Sequence, residues 1–185
     1  KVDGAAMTGA LNLWLNGTVA TNVDNGAKKT ISVTGGASAK DVMTFSEAVT
    51  TTARTTVSGF ETVDFKAAAT VDATNFSGVT LYKSAGAGAI KLTNLKSTEN
   101  FELAIDSADA ISLQTLATGG ALNAAFKNGD NSAVQEFSTS GFTTLNLKLD
   151  VKATDAAANK AFSFNLSKVG LDGTGAATVA PGTDV

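Results

Sequence analysis

The chain has 185 residues, 14 basic against 17 acidic for a formal net charge of −3, and is 43% hydrophobic with only 6% aromatic side chains. It contains neither Cys nor His, which removes disulfide frameworks, thiol nucleophiles, cysteine-type zinc sites and the commonest general base near neutral pH. Arg54 is the sole arginine, so no basic patch suits nucleic acid, and no apolar run reaches the roughly 18 residues that a membrane span needs.

Ala is the largest part of the hydrophobic fraction, and Thr, Gly, Ser and Asn supply much of the rest. That mixture favours extended strands joined by turns, because Thr is β-branched and Gly, Asn and Ser accept turn dihedrals. The sequence opens at Lys1 without a methionine or a signal peptide and stops in Pro181-Gly182-Thr183-Asp184-Val185. It is therefore expected to be one segment, residues 1–185, of a longer chain whose export signal lies elsewhere.

In chain order, the first alternating cluster is Leu11/Leu13/Leu15, with Trp14 on the opposite face as an expected contact with an adjoining segment or subunit. Ile31/Val33 and Met43/Phe45 follow. From residue 57 to 113 the alternation becomes a repeat. Val57-Ser58-Gly59-Phe60-Glu61-Thr62-Val63-Asp64-Phe65 aligns without gaps with Leu95 to Leu103, and Phe76-Ser77-Gly78-Val79-Thr80-Leu81-Tyr82 stands halfway between them, then slips by one. The inward pairs are read as Val63/Phe65, Val79/Leu81, Ile90/Leu92, Phe101/Leu103/Ile105 and Ile111/Leu113.

An insertion is expected over about 119–136, with Gly119 to Phe126 a loop excursion or single helical turn. Ser140 to Leu147 is a degenerate fourth copy. Leu145/Leu147/Leu149/Val151 and Phe162/Phe164/Leu166 continue the alternation, and Asp155 to Ala161 is a second excursion. Two strands and two turns in about nineteen residues describe an all-β fold, a flattened parallel β-solenoid of the β-helix or β-roll kind with loop excursions.

The stretch from Thr30 to Phe45, followed by Val57 to Val63, resembles the crystalline surface-layer proteins of Gram-negative bacteria, of Campylobacter surface-array type and more distantly Caulobacter type. The resemblance covers roughly Thr30 to Leu149. It implies a structural protein that is secreted by a type I system, self-assembles into a two-dimensional lattice on the cell surface, often with calcium, and binds lipopolysaccharide through a region outside this segment. A solenoid passenger or stalk of a secreted adhesin is the alternative.

Calcium wants clustered carboxylate and carbonyl oxygens in loops. The candidates are Asp41, Asp106, Asp109, Asn128, Asp130 and Asn131, with Asp24-Asn25-Gly26 and Asp172-Gly173 as further oxygen-rich turns. Gly35-Gly36 opens like the glycine-rich calcium repeat of secreted β-rolls, but Ser38 stands where glycine belongs and Asp41 arrives one residue late. An Asp beside Gly or Asn also closes turns by accepting backbone N–H groups. No catalytic residue is assigned. A sugar-cleaving β-helix would need convergent carboxylates, and Asp64 and Glu102, two coils apart, are the one pair placed to share a face, where solvated surface positions are the plainer reading.

Overall fold

The computed structural model describes residues 1–15, 31–51, 55–85, 88–104, 109–117, 119–127, 134–150, 163–171 and 177–181. The strands are β1 (Val2–Asp3), β2 (Asn12–Leu15), β3 (Ile31–Thr34), β4 (Val42–Phe45), β5 (Val49–Thr50), β6 (Thr55–Ser58), β7 (Thr62–Phe65) and β8 (Ala69–Asp72). A single 3-10 turn, Ala73–Asn75, leads to β9 (Phe76–Ser77), β10 (Leu81–Ser84), β11 (Ile90–Leu95), β12 (Asn100–Leu103) and β13 (Ile111–Thr115). The last five are β14 (Ala121–Lys127), β15 (Val134–Phe142), β16 (Thr144–Asp150), β17 (Ser163–Leu171) and β18 (Ala177–Pro181).

They form a parallel β-solenoid with three faces. Face A is the four-stranded sheet β1-β3-β6-β9, face B the eight-stranded sheet β18-β16-β14-β12-β10-β7-β4-β2, and face C the six-stranded sheet β17-β15-β13-β11-β8-β5. On face B, Val42 pairs with Thr62, Thr62 with Leu81 and Leu81 with Asn100, so each residue lies against its counterpart one repeat further along. The repeat read from the sequence is therefore the coil of the solenoid.

The middle coil does not slip. Val57 pairs with Phe76 and Val63 with Tyr82, so both halves of that coil keep the same step. The side chains of β10 that enter the core are Tyr82 and Ser84, while Leu81 is half-buried and Val79 is buried in the turn before the strand. Ring stacking sets this choice. Phe45, Phe65 and Tyr82 form one column at centroid separations of 5.8 and 6.4 Å, and Phe76 meets both Phe45 and Tyr82 edge-on from face A. Each such buried side chain contributes about 1.5–3 kcal/mol of transfer free energy, and stacked or edge-on rings add to that.

A third strand per coil departs from the two-strand coil expected above. Face A carries β3, β6 and β9, and among the described residues no later strand joins it. The cause lies between β11 and β12. After β8, Asp72 caps the 3-10 turn by accepting the Thr74 amide at 2.9 Å, and that turn makes room for β9. One coil later Asn94 takes a left-handed φ of 59° in a register shift between Leu92 and Leu95. The chain thus bends early and goes from face C to face B through the short turn Lys96 to Glu99. Asn is among the few non-glycine residues that tolerate this region.

The supposed excursion Gly119 to Phe126 is also corrected. Ala121–Lys127 is strand β14, paired with β12 and β16, and it buries Leu122, Ala124 and Phe126 on alternate positions. A short Ala-rich segment cannot stand as a free helix, whereas two flanking strands satisfy its backbone groups. The described part of the expected insertion thus belongs to the coil, and the coils here are longer, since Asn100 pairs with Asn123 and Asn123 with Asn146, each a longer step than from Leu81 to Asn100. Asp155 to Ala161, Ile105, Val151 and Phe162 lie outside the described residues.

Candidate functional site

Asp41 sits at the corner between faces A and B and is fully buried. Its Oδ1 accepts the Leu11 amide at 2.8 Å from the preceding coil, and its Oδ2 accepts the Gly36 amide at 2.7 Å from its own loop. Its own backbone N–H donates to Glu61 Oε2 at 2.9 Å, and its carbonyl accepts the Glu61 and Thr62 amides. Asp41 thus ties three successive coils. The Gly35-Gly36 pair is explained by the same corner, because a Cβ on Gly35 would overlap the Gly59 carbonyl oxygen and stand 2.6 Å from its carbon. Each carboxylate oxygen thus accepts a backbone N–H and closes this corner of the coil.

Asp109 lies one coil from Gly88 and accepts its amide at 2.9 Å through Oδ2. Asp106, Asn128, Asp130 and Asn131, with Asp24 to Gly26 and Asp172-Gly173, lie outside the described residues. Among the described residues no three acidic groups gather to hold a metal ion.

Asp64 and Glu102 do share the outward side of face B, with Lys83 between them in the same row. Lys66 bonds Asp64 at 2.7 Å, while Glu102 receives Lys83 at 3.2 Å and Lys127 at 2.8 Å. Partial burial works to raise the Glu102 carboxyl, but the hydrogen bonds from Lys127 and Lys83 outweigh it and hold the group below the ordinary glutamate value. A carboxylate kept ionised by two ammonium groups is unsuited to deliver a proton to a leaving group. What the row does is cross-link neighbouring coils.

Beside it runs a second ladder that the sequence alone does not announce. Asn146 Nδ2 donates to Asn123 Oδ1 at 2.9 Å, Asn123 Nδ2 to Asn100 Oδ1 at 3.0 Å, and Asn100 Nδ2 to the Thr80 carbonyl at 3.1 Å. Its signal is three evenly spaced Asn residues, but their spacing is longer than the period of the central repeat.

No family model, curated protein or solved structure matches this chain. Among the described residues the large hydrophobic side chains left exposed are Trp14 at 63%, Leu116 at 52%, Met7 at 45% and Val2 at 41%. All but Leu116 belong to the first coil. The inward side chains of that coil, Leu11, Leu13 and Leu15, pack on the core but are only partly covered. Trp14 faces away from Leu13 and Leu15, as its place in the alternation predicts.

A shallow cleft of about 350 Å³ opens where face A stops, between the turns Leu95–Ser97 and Thr115–Gly120. Its polar groups are largely engaged: the Lys96 amide donates to Glu99, the Leu116 amide and the Thr115 hydroxyl to the Leu95 carbonyl, and the Gly119 amide to Gly141.

Proposed function

We propose that this chain is a structural segment of a bacterial surface layer, a secreted β-solenoid block that joins copies of itself in a two-dimensional array on the cell exterior. The observation that supports this most is the contrast between its faces and its end. The outward side of face B is knitted by Lys–carboxylate and Asn ladders whose groups are bonded to one another, so that face is stiff and polar. The first coil instead gathers Val2, Met7 and Trp14 in the open beside half-covered leucines. Large exposed apolar groups of this kind mark association surfaces.

The occupant in this reading is a second copy or the adjoining segment of a longer chain, and a second copy is what an array requires. Among the described residues strands β2 and β18 are the two outer strands of the same parallel sheet, so β18 of one copy has the direction needed to lie against β2 of the next. Such a contact is heterologous and, where its rotation does not close, propagates along one axis; a two-dimensional array needs a lateral contact between copies besides it. A secreted adhesin stalk is the second reading, favoured by the same axial continuity, and it differs in forming isolated fibres or monomers. Calcium, implied by the resemblance to surface arrays, enters as an ion tested by chelation rather than through Asp41.

Trp14→Asp is expected to weaken self-association about tenfold or more, the scale of an aromatic hot spot, while leaving the melting temperature of the isolated chain unchanged. Sedimentation velocity over a concentration series measures the first and circular dichroism the second. Equal association of the two proteins would reject the first coil as the contact.

A further inference from the structure

The buried side-chain atoms without a hydrogen-bond partner include Asn75 Oδ1, Tyr82 Oη and Glu99 Oε1, which belong to the coils around the place where face A ends. Glu99 is the decisive member. Its side chain is 1% exposed. Its Oε2 accepts the Lys96 amide at 2.9 Å and its backbone N–H donates to the Lys96 carbonyl at 3.0 Å, so this one residue closes the turn from both sides. Among the described residues the other oxygen, Oε1, has no hydrogen-bond partner and only the Lys96 ammonium at 3.9 Å, on a side chain about half exposed.

We propose that the turn Lys96 to Glu99 is a pH-responsive latch, closed while the Glu99 carboxyl carries a proton and loosened when it is ionised. A negative charge on a buried oxygen toward which no donor is directed is unfavourable, and a proton removes it. Among the described residues the groups around Glu99 do not supply the missing compensation. Tyr82 on β10 is buried and itself raised by burial, then by the charges of Glu99 and Asp72. Leu122 on β14, next to Asn123 in the row above Asn100, is apolar and fully buried. Among the described residues Lys96 is the one cation acting on it. Burial pushes the Glu99 carboxyl up, against the smaller lowering effects of the Lys96 amide and ammonium.

The sign follows from linkage. A carboxyl raised in the folded state contributes stability that is fully present below its unfolded pKa and is lost as pH rises through the folded value. Glu102 and Asp72 behave oppositely: burial works to raise both, but hydrogen bonds hold them low, from the lysines on Glu102 and from Thr74 and Asn94 on Asp72. Their contribution fades as pH falls through and below the ordinary carboxylate range. The two windows are therefore separate.

The turn gives way toward the cleft, because Leu95, Lys96 and Ser97 line it. Hydrogen exchange and thermal melting, measured from acid to neutral pH on the intact protein and on Glu99→Gln, test the latch. The wild type is expected to lose melting temperature, and the Lys96 and Leu116 amides to lose protection beyond the intrinsic pH effect, as pH rises above the ordinary glutamate value. Glu99→Gln should hold both nearly constant through that window. Identical pH profiles for the two proteins would overturn the latch. Should Glu99→Gln fail to fold, carboxyl-carbon NMR of wild-type Glu99 decides: a titration midpoint above the ordinary glutamate value supports the latch, and one at or below it contradicts it.

Discussion

Gly35→Ala is expected to destabilise the solenoid by about 3 kcal/mol, because the added methyl meets backbone rather than a side chain that can move aside. Its Cβ would overlap the Gly59 carbonyl oxygen, and Gly59, at φ 70°, is held in a conformation that leaves it no easy retreat. The same corner carries the Gly35 amide to the Ser58 carbonyl at 2.7 Å, so separating the coils to admit the methyl also stretches that bond. For a chain of this length the loss corresponds to a melting temperature lowered by roughly 6–12 °C. Gly9→Ala is the control, since a Cβ there meets nothing within 4 Å. Melting curves of both variants by circular dichroism check the pair. A Gly35→Ala protein as stable as Gly9→Ala would mean that the coils do not touch at this corner.

Asp41→Ala should have an effect of similar size for a different reason. It leaves the Leu11 and Gly36 amides without their acceptor inside the structure, and an orphaned buried donor costs about 1–3 kcal/mol. Two of them give about 3 kcal/mol or more, partly offset because a buried carboxylate no longer has to be desolvated. The loss should be the same in calcium and in EGTA, since both oxygens already serve N–H groups. Faster hydrogen exchange at Leu11 and Gly36 would locate it. A loss of stability that appears only with calcium present would instead return Asp41 to the role of a metal ligand.

Much of this fold is legible in the sequence because a parallel solenoid stacks like on like. Val63, Tyr82 and Phe101 occupy one inward row at equal steps, and an alignment without gaps over that stretch is the register itself. What hides the rest is local. Tyr82 does not stand out as an inward residue because Val79 and Leu81 offer a more hydrophobic pair, although only an aromatic ring extends the Phe45–Phe65 column. Ala121–Lys127 is obscured by its alanines, which fit a helix by propensity and a strand by neighbours; tertiary pairing decides for the strand. Face A is invisible as a layer because β9 is very short and its strands are not continued on the next coil.

The candidate site is less legible than the fold. Asp41 is recognisable as an oxygen donor beside a Gly-Gly turn, which fits turn closure as well as calcium binding. The choice between them depends on where the Leu11 amide lies, 30 residues away in sequence. Glu99 recurs at the position of Glu61 in the aligned repeat, but a Glu after Lys-Ser-Thr reads as surface; its burial follows from the early bend with which face A ends. The Lys83 and Glu102 bridge is within reach, since opposite charges one repeat apart face each other once the coil length is known.

The role proposed for this solenoid is that of a building block that associates with itself in an ordered array. Electron microscopy of the assembled protein, with calcium and again after chelation, tests it most directly. Extended sheets with a regular repeat are expected, abolished or fragmented by Trp14→Asp. Isolated particles or unconnected single fibres under all conditions would contradict it.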